Sequence, residues 1–332
     1  MESEKTGLWE NQRREELIVG DSVGTPGADI AKLKIPSWYD EKKFNRAKEL
    51  YNQYFAAVNF GHFCGLLLSF YFTKNIKTLM STGESATKNS LFHRYLMTVR
   101  HVQKWYEGDV WDVNDSAHRS LSVVRSMHAR VGKKMAELND GVVYVSQWDM
   151  AVTQWAFIGP LVLFRSTVGL FGWTNDDYDA ILHFWRTIGY LLGIEDKYNL
   201  CQGSYSEVLA TCEKLFHNDY KPMVEKADPI SVSMAKNVTE AMSLMDPLFT
   251  WPALATFIHE LVGLPCPVDM GIIDNICYSC MRFMMTYLIQ FDRVRIFMNE
   301  FTRWKLNAAD KKDLELMKKG RHSVPAKTVT AG

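Results

Sequence analysis

No charge of one sign predominates in these 332 residues: lysine plus arginine and aspartate plus glutamate each number 38. Without a net field to draw in polyanions, nucleic acid is not an expected partner. Long hydrophobic runs are missing as well. The densest, Phe63 to Phe72 and Trp155 to Phe164, are ten residues each, about half of the roughly 20 that span a bilayer. No transmembrane segment is expected, and contact with a membrane surface stays open. The opening MESEKTGLWENQRREELIVG has no apolar stretch of the kind that addresses a chain for secretion. A cytoplasmic protein is therefore expected, and the N-x-S/T patterns at Asn114 and Asn237 would not meet the glycosylation machinery. Six cysteines scattered through a chain of this size suit a reducing compartment and read as thiols.

Several common chemistries are absent too. The sequence has no G-x-G-x-x-G ahead of a helix, no Walker phosphate loop, no G-x-S-x-G elbow and no H-E-x-x-H pair. Carboxylate-bridged di-iron bundles need two Glu-x-x-His pairs, and Asp115-x-x-His118 is the nearest approach. Cys277-x-x-Cys280 lies in an apolar helical run without a second pair at zinc spacing, so both read as structural thiols. His259-Glu260 is only half of a zincin motif. No C-x-x-C-H exists for covalent haem attachment.

What is there is core material: 47% hydrophobic and 13% aromatic residues, with ten tryptophans and sixteen methionines. Apolar periodicity is helical almost throughout, which predicts an all-α protein with a single large helical domain. Residues 1–35, around Gly24-Thr25-Pro26-Gly27, read as a polar N-terminal arm; 36–305 form the domain; 306–332 read as a flexible, Lys-rich polar tail. Ser37, three residues before Asp40, suggests the first cap, followed by Phe44, Ala47, Leu50, Tyr51 and Tyr54 at helical spacing. Further helices are predicted over 61–82, 88–107, 116–138, 146–168, 175–193, 204–217, 229–243, 250–262 and 268–300. Ser146 with Asp149 and Thr174 with Asp177 carry cap signatures, Pro160 should kink its helix, and 141–145 looks β-like.

Within 116–138, Ala117, Leu121, Val124, His128, Val131, Met135 and Leu138 form one buried stripe, while Arg119, Arg125, Arg130, Lys133 and Lys134 lie off it. An imidazole in that stripe calls for an explanation. It is either a core histidine donating to a backbone carbonyl, or a ligand offering its neutral lone pair to a metal or haem. On the preceding helix Arg94, Met97, Thr98 and His101 share a broad face. Arg94 reads as a surface or pocket cation, and Met97 as core filling or a pocket thioether.

The pattern Arg94-x-x-x-Thr98, followed by a helix carrying His128-x-x-Val131, resembles the signature of the rubber-oxygenase catalytic family. That family includes bacterial latex-clearing proteins and a fungal endoplasmic-reticulum oxygenase that cuts a farnesyl chain. FGHFCGLLLSFYFTKNIKTLMSTGE, SQWDMAVTQWAFIGPLVLF and FWRTIGYLLGIED resemble its lead-in and later core helices. The resemblance covers about 36–300 and is strongest between 60 and 200. It implies a globin-like core around haem b, with His128 on the iron and Arg94 and Thr98 lining the oxygen and substrate side. It also implies cleavage of a C=C bond of an isoprenoid- or terpenoid-type substrate by dioxygen, with both oxygen atoms ending in carbonyl products, and it leaves a peripheral position at the endoplasmic reticulum open.

One departure stands out. Latex-clearing proteins carry a lysine immediately before the threonine, able to occupy the sixth iron position, and this chain carries Met97 there. His101, one turn on, is a second candidate for that side. No acidic residue upstream of Arg94 can be assigned as a proton-handling base. Two rivals remain at this stage: a non-enzymatic haem sensor or carrier, in which Met97 closes the sixth site, and a haem-free helical interaction protein.

Overall fold

Two helices of this chain are apolar around almost their whole circumference, and the rest of the molecule is built around them. The computed structural model describes residues 12–24, 27, 29–83, 85, 87–138 and 142–322, with side chains to residue 318. In order, the helices are α1 (12–19), α2 (Glu41–Gln53), α3 (Phe55–Ser69), α4 (Thr73–Ser81), α5 (Lys88–Glu107), α6 (Ser116–Leu138) and α7 (Gln147–Leu163). They continue as α8 (Asn175–Leu192), α9 (Tyr205–Leu215), α10 (Lys221–Lys226), α11 (Pro229–Met242), α12 (Trp251–Val262), α13 (Ile272–Phe283) and α14 (Asp292–His322). The fold is all-α, and no strand occurs among the described residues. The β-like 141–145 is loop from Val142 onward, and Gly141 lies outside the described residues.

α3 and α7 form the most extensive helix pair, and glycine sets their separation. A Cβ on Gly65 would stand 1.7 Å from the Ala156 carbonyl oxygen, so the two backbones touch there. One turn earlier, a Cβ on Gly61 would stand 2.5 Å from Leu161 Cδ2. Around this pair, α2 packs on α8, α5 on α6 and α11, and α14 across α5 and α3.

Several boundaries differ from expectation. The first cap is Asp40, which accepts from Lys42 N and Lys43 N, rather than Ser37. The segment expected as one helix over 61–82 is α3 and α4, bent by 97°. Likewise 268–300 is α13, a wide turn over 284–288, a break, and then α14. Both bends separate a helix whose partner changes along its length, which periodicity cannot see. Ser146 and Thr174 do cap α7 and α8, each with a reciprocal aspartate three residues on.

The termini correct the expected domain bounds. Within the polar arm, α1 buries Leu17, Arg13 donates to the carbonyls of Lys197 and Asn199, and Arg14 pairs with Asp219 at 3.0 Å. The expected flexible tail is helical to His322: Leu306, Ala309 and Asp313 are buried, and His93 Nδ1 lies 2.8 Å from Asp313 Oδ2. Residues 1–11 and 323–332 lie outside the described residues. No single described helix is long and apolar enough to cross a membrane; the bent α3–α4 pair meets the length and composition, but α3 is core.

Because Gly65 is the contact that fixes α3 on α7, Gly65→Ala is expected to destabilise the protein by about 1–3 kcal/mol through overpacking. Thermal unfolding checks it; an unchanged midpoint would contradict the close approach.

Candidate functional site

α5 and α6 form an antiparallel hairpin whose register is fixed by Ser120. Its hydroxyl accepts from Trp105 Nε1 at 2.9 Å and lies 2.6 Å from His101 Nδ1. With 101 and 105 beside 120, the antiparallel run sets Arg94, Met97 and Thr98 alongside the stretch of α6 that contains His128. The end of α4 closes on the same place from the side. Arg94 NH1 donates to Leu79 O at 3.2 Å, Thr82 Oγ1 at 3.0 Å and Ser85 Oγ at 3.2 Å, and Lys134 Nζ donates to Ser81 O at 3.0 Å.

Burial along α6 changes at His128. Ala117, Leu121 and Val124 are buried, but His128 and Val131 are half-buried, Met127 is exposed, and Met135 is buried again. On α5 the shared face of Arg94, Met97, Thr98 and His101 is half-buried too. The stripe is therefore open in its middle. His128 Nδ1 is nonetheless shielded from solvent and has no hydrogen-bond partner among the described residues, and burial holds the imidazole neutral, with its pKa down at about 4. The carbonyl-bonded core histidine is not what the fold contains. A neutral, unengaged imidazole beside an open apolar face has the chemistry of a ligand.

The other side chains on this face are engaged to different degrees. Thr98 Oγ1 donates to Arg94 O at 3.0 Å, leaving its lone pairs available. Arg94 uses only NH1, so Nε and NH2 remain without hydrogen bonds among the described residues. His101 is tied into the hairpin. Its Nδ1 shares the Ser120 hydroxyl with Trp105 Nε1, so one ring nitrogen is committed to the hairpin contact. Met97 packs at the edge of the core.

Two residues were not anticipated. Arg125, expected off the stripe and solvated, is buried, donating from Nε to Gly27 O at 2.8 Å and from NH1 to Leu191 O at 2.9 Å. It fastens α6 to the end of α8. His62 on α3 is the second histidine with a shielded, unpartnered nitrogen, Nε2, and burial takes its pKa down to about 3. Applying the lone-imidazole test to FGHFCG would have raised it. Unlike His128, it is walled in by the rings of Phe157 at 5.3 Å, Trp185 at 5.5 Å and Tyr106 at 6.3 Å, which leaves no face for a planar cofactor. Most other histidines are hydrogen-bonded, His118 to Val110 O, His183 to Asp40 N and His259 to Ala255 O.

No cluster of three or more His, Cys, Asp or Glu suited to a metal ion occurs among the described residues. All six cysteines are free thiols, including Cys277 and Cys280. A haem iron asks the protein for only one or two ligands, so the single-histidine arrangement is the one to weigh.

The family described as the catalytic domain of ER-bound oxygenase mpaB/B′ and rubber oxygenase matches residues 53–266, a span that contains Arg94, Thr98 and His128. The chain belongs to this family. It is thereby a member of an oxygenase family. No curated protein matches it. Among solved structures, latex clearing protein LCP in the closed state aligns with a TM-score of 0.57 at 14% identity, covering 82% of this chain and 76% of that one. At that identity the likeness establishes the shared helical fold.

His62 makes this oxygenase-family member acid-sensitive in a calculable direction. The unfolded imidazole takes up its proton near its ordinary 6.5, whereas the folded one resists until about 3. Its contribution is thus complete above 6.5 and is lost as pH falls below it, at about 1.4 kcal/mol per pH unit. His62→Phe is expected to flatten the fall of the thermal midpoint between about pH 6 and pH 4, with His128 and His183 leaving a residual slope. An identical slope in the variant would mean that the ring is solvated.

Proposed function

We propose that the protein is a haem b-dependent oxygenase that uses dioxygen to cleave a C=C bond of a hydrophobic, isoprenoid- or terpenoid-type substrate. The observation that carries the reading is His128: a neutral imidazole whose Nδ1 is shielded and unbonded, in the half-buried middle of the α6 stripe. Membership of an oxygenase family supplies the reaction class.

The residues present fit a haem. His128 would hold it through a ring nitrogen, and half-buried Val131, Met97 and Leu79 would offer apolar contact for the macrocycle and the substrate. When bound, the haem supplies the oxygen chemistry. The chain supplies position and charge. Arg94 is clamped through NH1 to the end of α4, which orders its guanidinium before any substrate arrives, and its remaining N–H groups can donate to negative charge developing on oxygen. Thr98, anchored by its own bond to Arg94 O, presents acceptor lone pairs from a fixed rotamer and would orient a water or a reacting group. Met97 takes the place of the lysine of latex-clearing proteins, so a switch driven by a charged amine has no counterpart here. Its thioether would be a neutral, soft donor beside the group instead.

Reconstitution with haem b followed by ultraviolet-visible spectroscopy is the test. The expected result is a Soret band that shifts when carbon monoxide meets the reduced protein, and loss of that band in His128→Ala with helical content unchanged. A wild type that takes up no haem would overturn the reading; a six-coordinate reduced form refusing carbon monoxide would favour a sensor or carrier closed by Met97. Arg94→Ala is expected to keep the Soret band while lowering turnover of an isoprenoid about 100-fold or more, measured as carbonyl product.

A further inference from the structure

On their outer sides, away from the core, α13 and α14 expose apolar residues that the fold leaves uncovered. On α13, Ile272, Ile276 and Phe283 lie within one narrow stripe, with Ile272 83% exposed. On α14, Ile296, Phe297 and Trp304 point outward, opposite the buried Met298, Asn299 and Leu306. Phe297 is 64% and Trp304 62% exposed, and Phe301 between them stacks on both, at 5.9 and 5.6 Å. Tyr287 and Phe291, between the two helices in sequence, are exposed too.

The charges around this face decide what it fits. Its bordering cations are already neutralised within the chain: Arg282 by Glu260, Arg295 by Asp292 at 2.7 Å, Arg303 by Glu107 at 3.3 Å, and Lys305 by Asp246. No positive field is left to attract an anionic bilayer. Two exposed charges have no opposite partner among the described residues, Arg293 and Glu300. They stand two turns apart on the same outward face, with Ile296 and Phe297 midway between them. This pattern is self-complementary. When two copies of α14 lie antiparallel about a two-fold axis at Ile296 and Phe297, Arg293 of each faces Glu300 of the other.

We infer that α14, flanked by α13, is the interface of a homodimer, centred on Ile296 and Phe297 and closed by two reciprocal Arg293–Glu300 ion pairs. The aromatic centre supplies the apolar burial and the ion pairs set the antiparallel register. The interface is independent of the haem reading, since none of its residues belongs to α4, α5 or α6.

Sedimentation velocity on the full chain at micromolar concentration tests this, with circular dichroism to confirm the fold of each variant. Wild type is expected to sediment as a dimer. Phe297→Asp should be monomeric, and Glu300→Arg or Arg293→Glu alone should weaken dimerisation about tenfold or more by opposing like charges. The double variant R293E/E300R should restore the dimer, because the exchanged pairs are again opposite; a general loss of structure would not be rescued in this way. A monomeric wild type overturns the proposal, and if that monomer pellets with neutral phosphatidylcholine vesicles the face is a membrane surface instead. A double variant as weak as the single ones overturns the antiparallel pairing.

Discussion

The backbone contact between α3 and α7 is the constraint on which the other helices depend. Gly65 has no side chain because the Ala156 carbonyl occupies the space where one would stand. That separation decides how far α2, α8, α9, α12 and α14 can close on the central pair from their several sides. It also explains why α3 and α7 read as nearly uniform apolar runs in the sequence. A helix packed on all sides has no polar face to display. The hairpin of α5 and α6 lies outside this dense centre. Trp105 to Ser120 ties its two helices together and Arg125 to Leu191 O fastens it to the end of α8, while its middle is only half-buried.

That division separates two histidines of similar electrostatics. His62 and His128 both carry a shielded ring nitrogen without a partner, and both are held neutral by burial. An unsatisfied buried polar atom costs on the order of 1–3 kcal/mol, and the fold tolerates each for a different reason. At His62 the surrounding rings of Tyr106, Phe157 and Trp185 contribute packing to a central helix. At His128 no aromatic ring contact occurs among the described residues, and its neighbours along the helix are Met127 and Val131, exposed and half-buried. An orphaned nitrogen inside a filled cage is a cost of packing, whereas one without such a cage would be the better placed to take a ligand.

Local chemistry is what the sequence made legible. The caps at Ser146 and Thr174 are written within four residues and form as read. Arg94, Thr98 and His128 were singled out because a motif ties them across one hairpin turn, and the hairpin register brings those stretches side by side. Tertiary relations were not legible. Asp40 rather than Ser37 caps α2, in a stretch where His183 Nε2 also accepts from Asp40 N, a contact across 143 positions. Arg125 looked solvated because helical phase alone put it off the stripe, yet the Gly27 and Leu191 carbonyls are waiting there. The polar composition of 306–322 suggested a tail, but Asp313 and Asp310 meet His93 and Arg100 on α5.

Met97 adds no charge beside the guanidinium of Arg94, so Arg94 is the cation of the face it shares with Thr98 and His101. The guanidinium is also more firmly seated than a free distal residue would be, since three acceptors at the end of α4 hold one of its nitrogens. Any displacement of α4 must therefore move Arg94 or break those bonds. The geometry of the charged donor and the position of α4 are one variable, and Lys134 Nζ, donating to Ser81 O, ties the same helix end to α6.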